Sequence, residues 1–379
     1  HTHTHTLSPP TPQVELHLHL DGSLSPAWMA ATAAAAGVDL GAQLAAAGLP
    51  PGAASVRALL HGMKAGHRVA EAAGGAPTTA ATKNWSYFDF CNQWLQTAPL
   101  LASATEDLLA SLHADHNVWL CEVRFCPNLH LERGLTPGKV VEAVLDGVRA
   151  ATSGTPMVAG LVLCALRSRP VGEAQGVARL AAEYKSAGVV GFDLAGHEAH
   201  HPLEPFTPAV RLAKELGVGV TLHAGEWPAT LHNVTLACEL GADRIGHGTV
   251  VGLDDQPGDH AAALDLLKAT GATVEVQITG NVGSGKVVSK FEDHNLPLLV
   301  RSGVNVTLSS DNTLLSGSLE LAANPTNEVL HAVVAGLTLP EVKGVLRHGP
   351  RASFLRPGAE WVARYDAALD AAFSKVEDG

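Results

Sequence analysis

No stretch of this sequence runs for about eighteen uninterrupted apolar residues, which excludes an ordinary membrane-spanning helix. Cationic side chains are scarce as well: 25 Lys and Arg face 37 Asp and Glu, a formal net charge of −12. A surface of that sign repels phosphate backbones and anionic membrane faces. Neither nucleic acid nor a membrane is therefore expected as a partner, and a small, weakly charged molecule fits better. Paired cysteine spacings are missing. Cys91, Cys121, Cys126, Cys164 and Cys238 are scattered with no CxxC among them. That argues against a zinc knuckle or a redox pair, and for buried thiols in a reducing compartment. The start of the chain also lacks the basic and apolar regions of a secretory signal, so the cytoplasm is the expected location.

What the sequence does hold is apolar bulk, with 46% of 379 residues hydrophobic, ample for a large packed core. The opening HTHTHT and the Pro-rich stretch behind it lack the alternation of a buried strand. Residues 1–12 read as a flexible tail ahead of a single domain over 13–379. Eight short β-branched or apolar runs follow, bounded by turn residues: Val14–Leu20, Trp119–Phe125, Val158–Leu166, Val189–Leu194, Val218–His223, Arg244–Gly246, Val274–Ile278 and Asn305–Ser309. Helical patterns separate most neighbours, as at 137–150, 172–187, 207–216, 230–240 and 258–269. Repeated strand-then-helix order implies a parallel sheet with helices outside, and eight such units predict a (β/α)8 TIM barrel whose chemistry sits at the carboxyl ends of the strands. The long gap between the first two runs, with its Ala-rich 27–48 and aromatic 85–94, predicts an inserted helical cap at about 25–118. Tyr87, Phe88 and Phe90 are its candidates for covering a substrate.

The polar residues at the strand ends carry the chemistry. His17 and His19 end the first strand, and because side chains alternate across a strand, residues two apart point the same way. The fifth strand delivers His223 followed by Glu226, the sixth His247, and the eighth Asp311. One such histidine alone is ordinarily a hydrogen-bonded core residue, but a whole set at matching strand ends is not. Three imidazoles and a carboxylate suit Zn²⁺, which lowers the pKa of its bound water, and His17, His19, His223 and Asp311 are assigned as its ligands. Glu226 and His247 remain for proton work, the acid and base that hydrolytic displacement of an amine requires. The fourth strand end reads Gly191-Phe192-Asp193-Leu194-Ala195-Gly196, with no lysine to bridge a second ion, so one metal is expected.

VELHLHLDGSL at 14–24, CEVRFCP at 121–127, GFDLAGHE at 191–198, TLHAGE at 221–226, RIGHGT at 244–249 and VTLSSDN at 306–312 together resemble the adenosine deaminase family of metal-dependent amidohydrolases. The resemblance implies that zinc-activated water attacks C6 of an aminopurine nucleoside. It further implies that Glu226 protonates N1 and that His247 with Asp311 orients and deprotonates the water. By the same resemblance the Gly196 N–H faces N3, Asp21 and His19 lie on the substrate, with Asp21 bonded to the ribose 5′-hydroxyl, and Asp193 gives support nearby.

Two positions depart from the family pattern. Asn312 stands where a second aspartate facing N7 is usual; an amide can donate to N7 at any pH, whereas an aspartate must first be protonated. Gln277-Ile278-Thr279-Gly280-Asn281 replaces a Cys-Pro-x-Ser-Asn pattern. The expected reaction is deamination of adenosine or 2′-deoxyadenosine. Adenine, an N6-substituted AMP and aminodeoxyfutalosine are alternative substrates, and an inactive nucleoside-binding relative is the alternative of another class. A cytidine-deaminase-type fold needs H-x-E together with P-C-x-x-C, and the absence of any P-C-x-x-C argues against it.

Overall fold

The computed structural model describes residues 11–72, 86–317 and 321–377. Eight strands follow one another as β1 Gln13–His19, β2 Val118–Phe125, β3 Val158–Leu166, β4 Val189–Ala195, β5 Gly219–Ala224, β6 Arg244–His247, β7 Thr273–Val276 and β8 Asn305–Leu308. Each pairs in parallel with the next in chain order. The ring is drawn together between β1 and β8 by a bridge at Leu18 and Asp311, where His19 N donates to Asp311 O at 2.8 Å and Asp311 N to His17 O at 2.9 Å. Helices cover the outside and side chains fill the inside, so the strands are buried on both faces, which is why they read as nearly continuous apolar runs. The barrel expected from the strand–helix alternation is therefore present.

The seventh strand is shorter than its apolar run. The run reaches Ile278, but the strand ends at Val276, and Ile278 opens the helix Ile278–Ser284. An apolar run too short to display a period cannot separate a strand end from a helix start. The outer helices lie close to their expected positions at Pro137–Thr152, Val171–Glu183, Thr207–Glu215, Leu231–Glu239 and His260–Thr270. Their ends follow local chemistry: Thr136 accepts a hydrogen bond from Lys139 N ahead of Pro137, and Asp259 accepts one from Ala262 N.

Between β1 and β2 the described residues form five helices, Pro26–Ala36, Leu40–Ala46, Ala53–Ala72, Ser86–Asn92 and Ala98–His116. They are fastened to one another by apolar packing and by the buried Trp94, whose indole donates to Met29 O at 3.0 Å. Of the aromatics expected to cover a substrate, Tyr87 and Phe90 are buried in the hydrophobic core and Phe88 is half-buried. Residues 1–10 of the expected tail, and Trp85, lie outside the described residues. No described helix is long and apolar enough to cross a membrane.

The barrel interior is not purely apolar. Arg244 bonds Glu275 and Glu122, each at 2.6 Å, while Arg124 bonds Glu275 at 2.9 Å and Asp193 at 3.0 Å, all of them out of solvent. Glu122 also accepts from Ser353 Oγ and Phe354 N at 2.6 Å, holding the segment after helix Leu339–Ala352 against the barrel. The Phe354 ring then closes the amino end: a Cβ added to Gly219 would lie 2.6 Å from it, and the Arg244 guanidinium sits 3.6 Å above it. Removing one member of such a network strands its partners without water. Glu122→Ala is expected to lower the unfolding free energy by about 3–5 kcal/mol in a urea titration; a loss under about 1 kcal/mol would show that the network does not hold the barrel together.

Candidate active site

His17 and His19 leave β1, His223 leaves β5, and Asp311 follows β8, all at the carboxyl end of the barrel. One ligand atom from each of the four lies within 4.8 Å of the others. His19 Nε2 and His223 Nε2 are 3.2 Å apart, and Asp311 Oδ1 is 3.6 Å from both His17 Nε2 and His19 Nε2. His17 Nε2 is buried without a partner in the protein. Imidazole nitrogens gathered in this way, facing one another across a polar hole, fit a cation. A donor set of three nitrogens and one carboxylate oxygen suits a tetrahedral or slightly expanded zinc site.

The outer ring nitrogens explain how the imidazoles are aimed. His17 Nδ1 lies 2.7 Å from Glu275 Oε2, and His223 Nδ1 lies 3.0 Å from Asp193 Oδ2. With Nδ1–H donated to a carboxylate, each Nε2 lone pair is left to point inward. Burial alone would raise both carboxyls. For Asp193, His223 and Arg124 outweigh it, and for Glu275, Arg124 and Arg244 do, so both groups are held well below the usual carboxylate range. Asp193 stands out in the sequence through its motif, whereas Glu275 does not; its one signal is a carboxylate inside the apolar run of β7.

Glu226 and His247 stand beside this cluster, with Glu226 Oε2 3.9 Å from His247 Nε2. Burial pushes the His247 imidazole down to about 3, so the ring is neutral near pH 7. Asn281 Nδ2 lies 3.1 Å from His247 Nδ1, and its Oδ1 meets His294 Nε2 at 3.2 Å. An amide N–H donated to Nδ1 leaves the His247 proton on Nε2, toward Glu226. His247 and Asp311 both adopt positive φ, 71° and 63°. Non-glycine residues in that region are strained, and two of them at one site show backbone bent to aim side chains. Glu198, part of a motif but without a role that the sequence reveals, fixes the turn that carries Glu226. Its carboxylate accepts from the backbone N–H groups of Gly225, Glu226 and Trp227 and from Thr230 and Asn233.

Among the residues expected on the substrate, His19 and Asp21 are nearly or fully buried, and Asp21 Oδ1 has no partner in the protein. Asn312 is buried beside them. Its Oδ1 is also unpartnered, and its Nδ2 makes one long contact, 3.4 Å to Ser316 Oγ. A Cβ on Gly22 would fall 1.6 Å from Asn312 Oδ1, so the turn after β1 must be glycine for this asparagine to fit. Gly196 turns away from β4 with φ of 107°. Sequence reasoning misses Lys286 altogether: its Nζ lies 2.6 Å from Glu226 Oε1 and 3.7 Å from the centroid of the Trp227 ring. A lone lysine in a Gly-rich stretch, sixty positions from its partner, leaves no mark in the sequence.

The family model for adenosine deaminase matches residues 76–358. The chain belongs to the adenosine deaminase family. An adenosine deaminase of Enterococcus faecalis is 33% identical over 271 residues, covering 71% of this chain and 76% of that one. Among solved structures, an adenine deaminase from Arthrobacter aurescens superposes with a TM-score of 0.74 at 23% identity, over 98% of this chain and 100% of its own. An amidohydrolase with bound Zn from Burkholderia ambifaria gives 0.75 at 20% identity, over 96% and 93%. These two likenesses concern the fold. Membership of the adenosine deaminase family makes this chain a hydrolytic deaminase of aminopurines.

The helix Ile278–Ser284, which carries Asn281, is pinned at its start by Glu328, whose two oxygens each lie 3.3 Å from Thr279 N. Burial pushes the Glu328 carboxyl up to about 8, against 4.5 unperturbed. Folded protein therefore keeps a proton that the unfolded chain has released, and stability falls as pH rises through this window, by about 1.4 kcal/mol per unit for one such group. Glu328→Gln is expected to flatten that slope in urea titrations at pH 5.5 and 7.5. Equal slopes in both proteins would place the carboxyl in its ordinary range.

Proposed function

We propose that this deaminase converts adenosine and 2′-deoxyadenosine to inosine and 2′-deoxyinosine with release of ammonia, using one zinc ion held by His17, His19, His223 and Asp311. One observation carries the reading: four donor atoms converge within 4.8 Å while the outer nitrogens of His17 and His223 are committed to buried carboxylates. When bound, such an ion lowers the pKa of a water and makes it a nucleophile near neutrality. The absence of a lysine at the end of β4 favours a single ion.

Every other step belongs to side chains. Glu226 delivers a proton to N1, which draws electrons from C6 and opens it to attack. His247, neutral and aimed by Asn281, orients the attacking water from its Nε2–H, while Asp311 accepts the water's proton and returns it to the departing amine. The Gly196 N–H is assigned to N3, the unpartnered Asp21 beside His19 to the ribose 5′-hydroxyl, and the Asn312 amide to N7 as a donor independent of pH. The described helices between β1 and β2 are read as a cap over this mouth. Asp21 also speaks to the choice of substrate, because a carboxylate beside a 5′-phosphate is repulsive and favours an uncharged nucleoside over AMP.

The test is turnover of adenosine, 2′-deoxyadenosine, AMP and adenine by zinc-quantified protein, with Glu226→Gln as control. Both nucleosides should lose their aminopurine absorbance, the control should be slower by about 10²-fold or more, and chelation should abolish activity that one equivalent of zinc restores. Turnover of adenine with neither nucleoside, or an undiminished control, would overturn the reading.

A further inference from the structure

The contact between Lys286 and Glu226 raises a question that the reaction must answer. Glu226 is read as the group that gives N1 its proton, yet in this structure it is half of an ion pair. Burial would raise its carboxyl, but the Lys286 ammonium, His247 and the hydrogen bond from Lys286 together push it down to about 2. A carboxylate in that state has no proton to give. The nearest proton on a partner is on the lysine, 2.6 Å from Oε1.

Lys286 is not a loosely placed surface lysine. Both members of the pair are about four-fifths buried. The ammonium rests on the face of Trp227 at 3.7 Å, Trp227 is stacked on His197 at 3.6 Å, and His197 on His200 at 3.8 Å. An ammonium held between a carboxylate and an indole face has one fixed position, since cation–π attraction and the ion pair act from different sides. The other groups facing Glu226 are His247 at the end of β6, Asp311 after β8, Arg167 after β3, and His197 and Glu198 after β4. Among them the arginine keeps its proton and His247 is neutral, so Lys286 is the one cation in hydrogen-bond contact with a Glu226 oxygen among the described residues.

We propose that Lys286 supplies, through Glu226, the proton that the purine N1 receives. This role rests on the reading of Glu226 as the group that protonates N1. A proton leaves Lys286 Nζ for Glu226 Oε1, and the carboxylic acid so formed passes it to N1 as the C6–O bond forms. The Nζ–H bond broken is restored from solvent, which reaches the partly exposed lysine, while the water that attacked gives up both its protons. In the net balance one hydrogen of water ends on N1 and one on the departing ammonia. Lys286 is thus a positioning and proton-loading residue acting through Glu226, and the pair as a unit stays loaded at pH values where an isolated carboxyl is empty, because a lysine ordinarily keeps its proton far above neutrality.

The experiment is the pH profile of kcat/KM for adenosine between pH 5 and 9.5 in wild type, Lys286→Met, Lys286→Arg and Glu226→Gln, with melting temperature and zinc content checked for each. Wild type should stay active to the alkaline end. Lys286→Met should gain a new alkaline limb, losing tenfold or more at pH 8 and much less at pH 5.5, since Glu226 must then carry its own proton. Lys286→Arg keeps the positive charge but does not release a proton, so it should not rescue the loss at pH 8. The 13C resonance of the Glu226 carboxyl, assigned by its absence in Glu226→Gln, should titrate within this range in Lys286→Met and not in wild type. Profiles of Lys286→Met that superimpose on wild type after scaling, or full rescue by arginine, would overturn the role of the lysine. An active Glu226→Gln would instead overturn the reading of Glu226 on which it rests.

Discussion

Three imidazoles cannot be packed lone pair to lone pair inside a protein unless something fixes which nitrogen of each ring carries the proton. For two of the rings that work falls to carboxylates placed behind them: Glu275 behind His17 and Asp193 behind His223. Carboxylates buried so deeply must in turn be neutralised, and Arg124 bridges both, while Arg244 carries the charge onward from Glu275 to Glu122. The polar interior of the barrel is one connected chain of charge running from the catalytic mouth to the ring of Phe354 at the opposite end. A buried network of this kind is costly to break, so site geometry and barrel stability rest on the same residues.

The second layer of organisation is backbone geometry. His247 and Asp311 are held at positive φ, Gly22 gives the room that Asn312 occupies, and Glu198 gathers three successive backbone N–H groups beneath Glu226. None of these residues gains stability for itself. Each trades local strain or desolvation for the direction of one functional atom, which is where strained conformations are expected to collect.

Most of the frame is legible in the amino-acid sequence. Strand ends such as His17 with His19, and His223 with Glu226, announce themselves because strand periodicity places polar side chains at the ends of apolar runs, and all four proposed ligands do converge. The shortfall of β7 marks the limit of that logic, since an apolar residue at a strand end can equally open a helix. Partners that meet only through the barrel interior are invisible to it: Glu275 behind His17 is 258 positions away, and Lys286 is sixty from Glu226. Asp193 can be picked out only because a family motif contains it. Sequence pattern speaks for what lies along a strand or helix, and it is silent about what faces what across a closed sheet.

The four converging donor atoms fit an ion at their centre. Anomalous diffraction at the zinc edge, from crystals of protein never exposed to chelator, tests that claim most directly. A single peak about 2.0–2.2 Å from His17 Nε2, His19 Nε2, His223 Nε2 and an Asp311 oxygen is the predicted result. No peak in catalytically active protein, or a peak bound through the Nδ1 atoms that face Glu275 and Asp193, would contradict it.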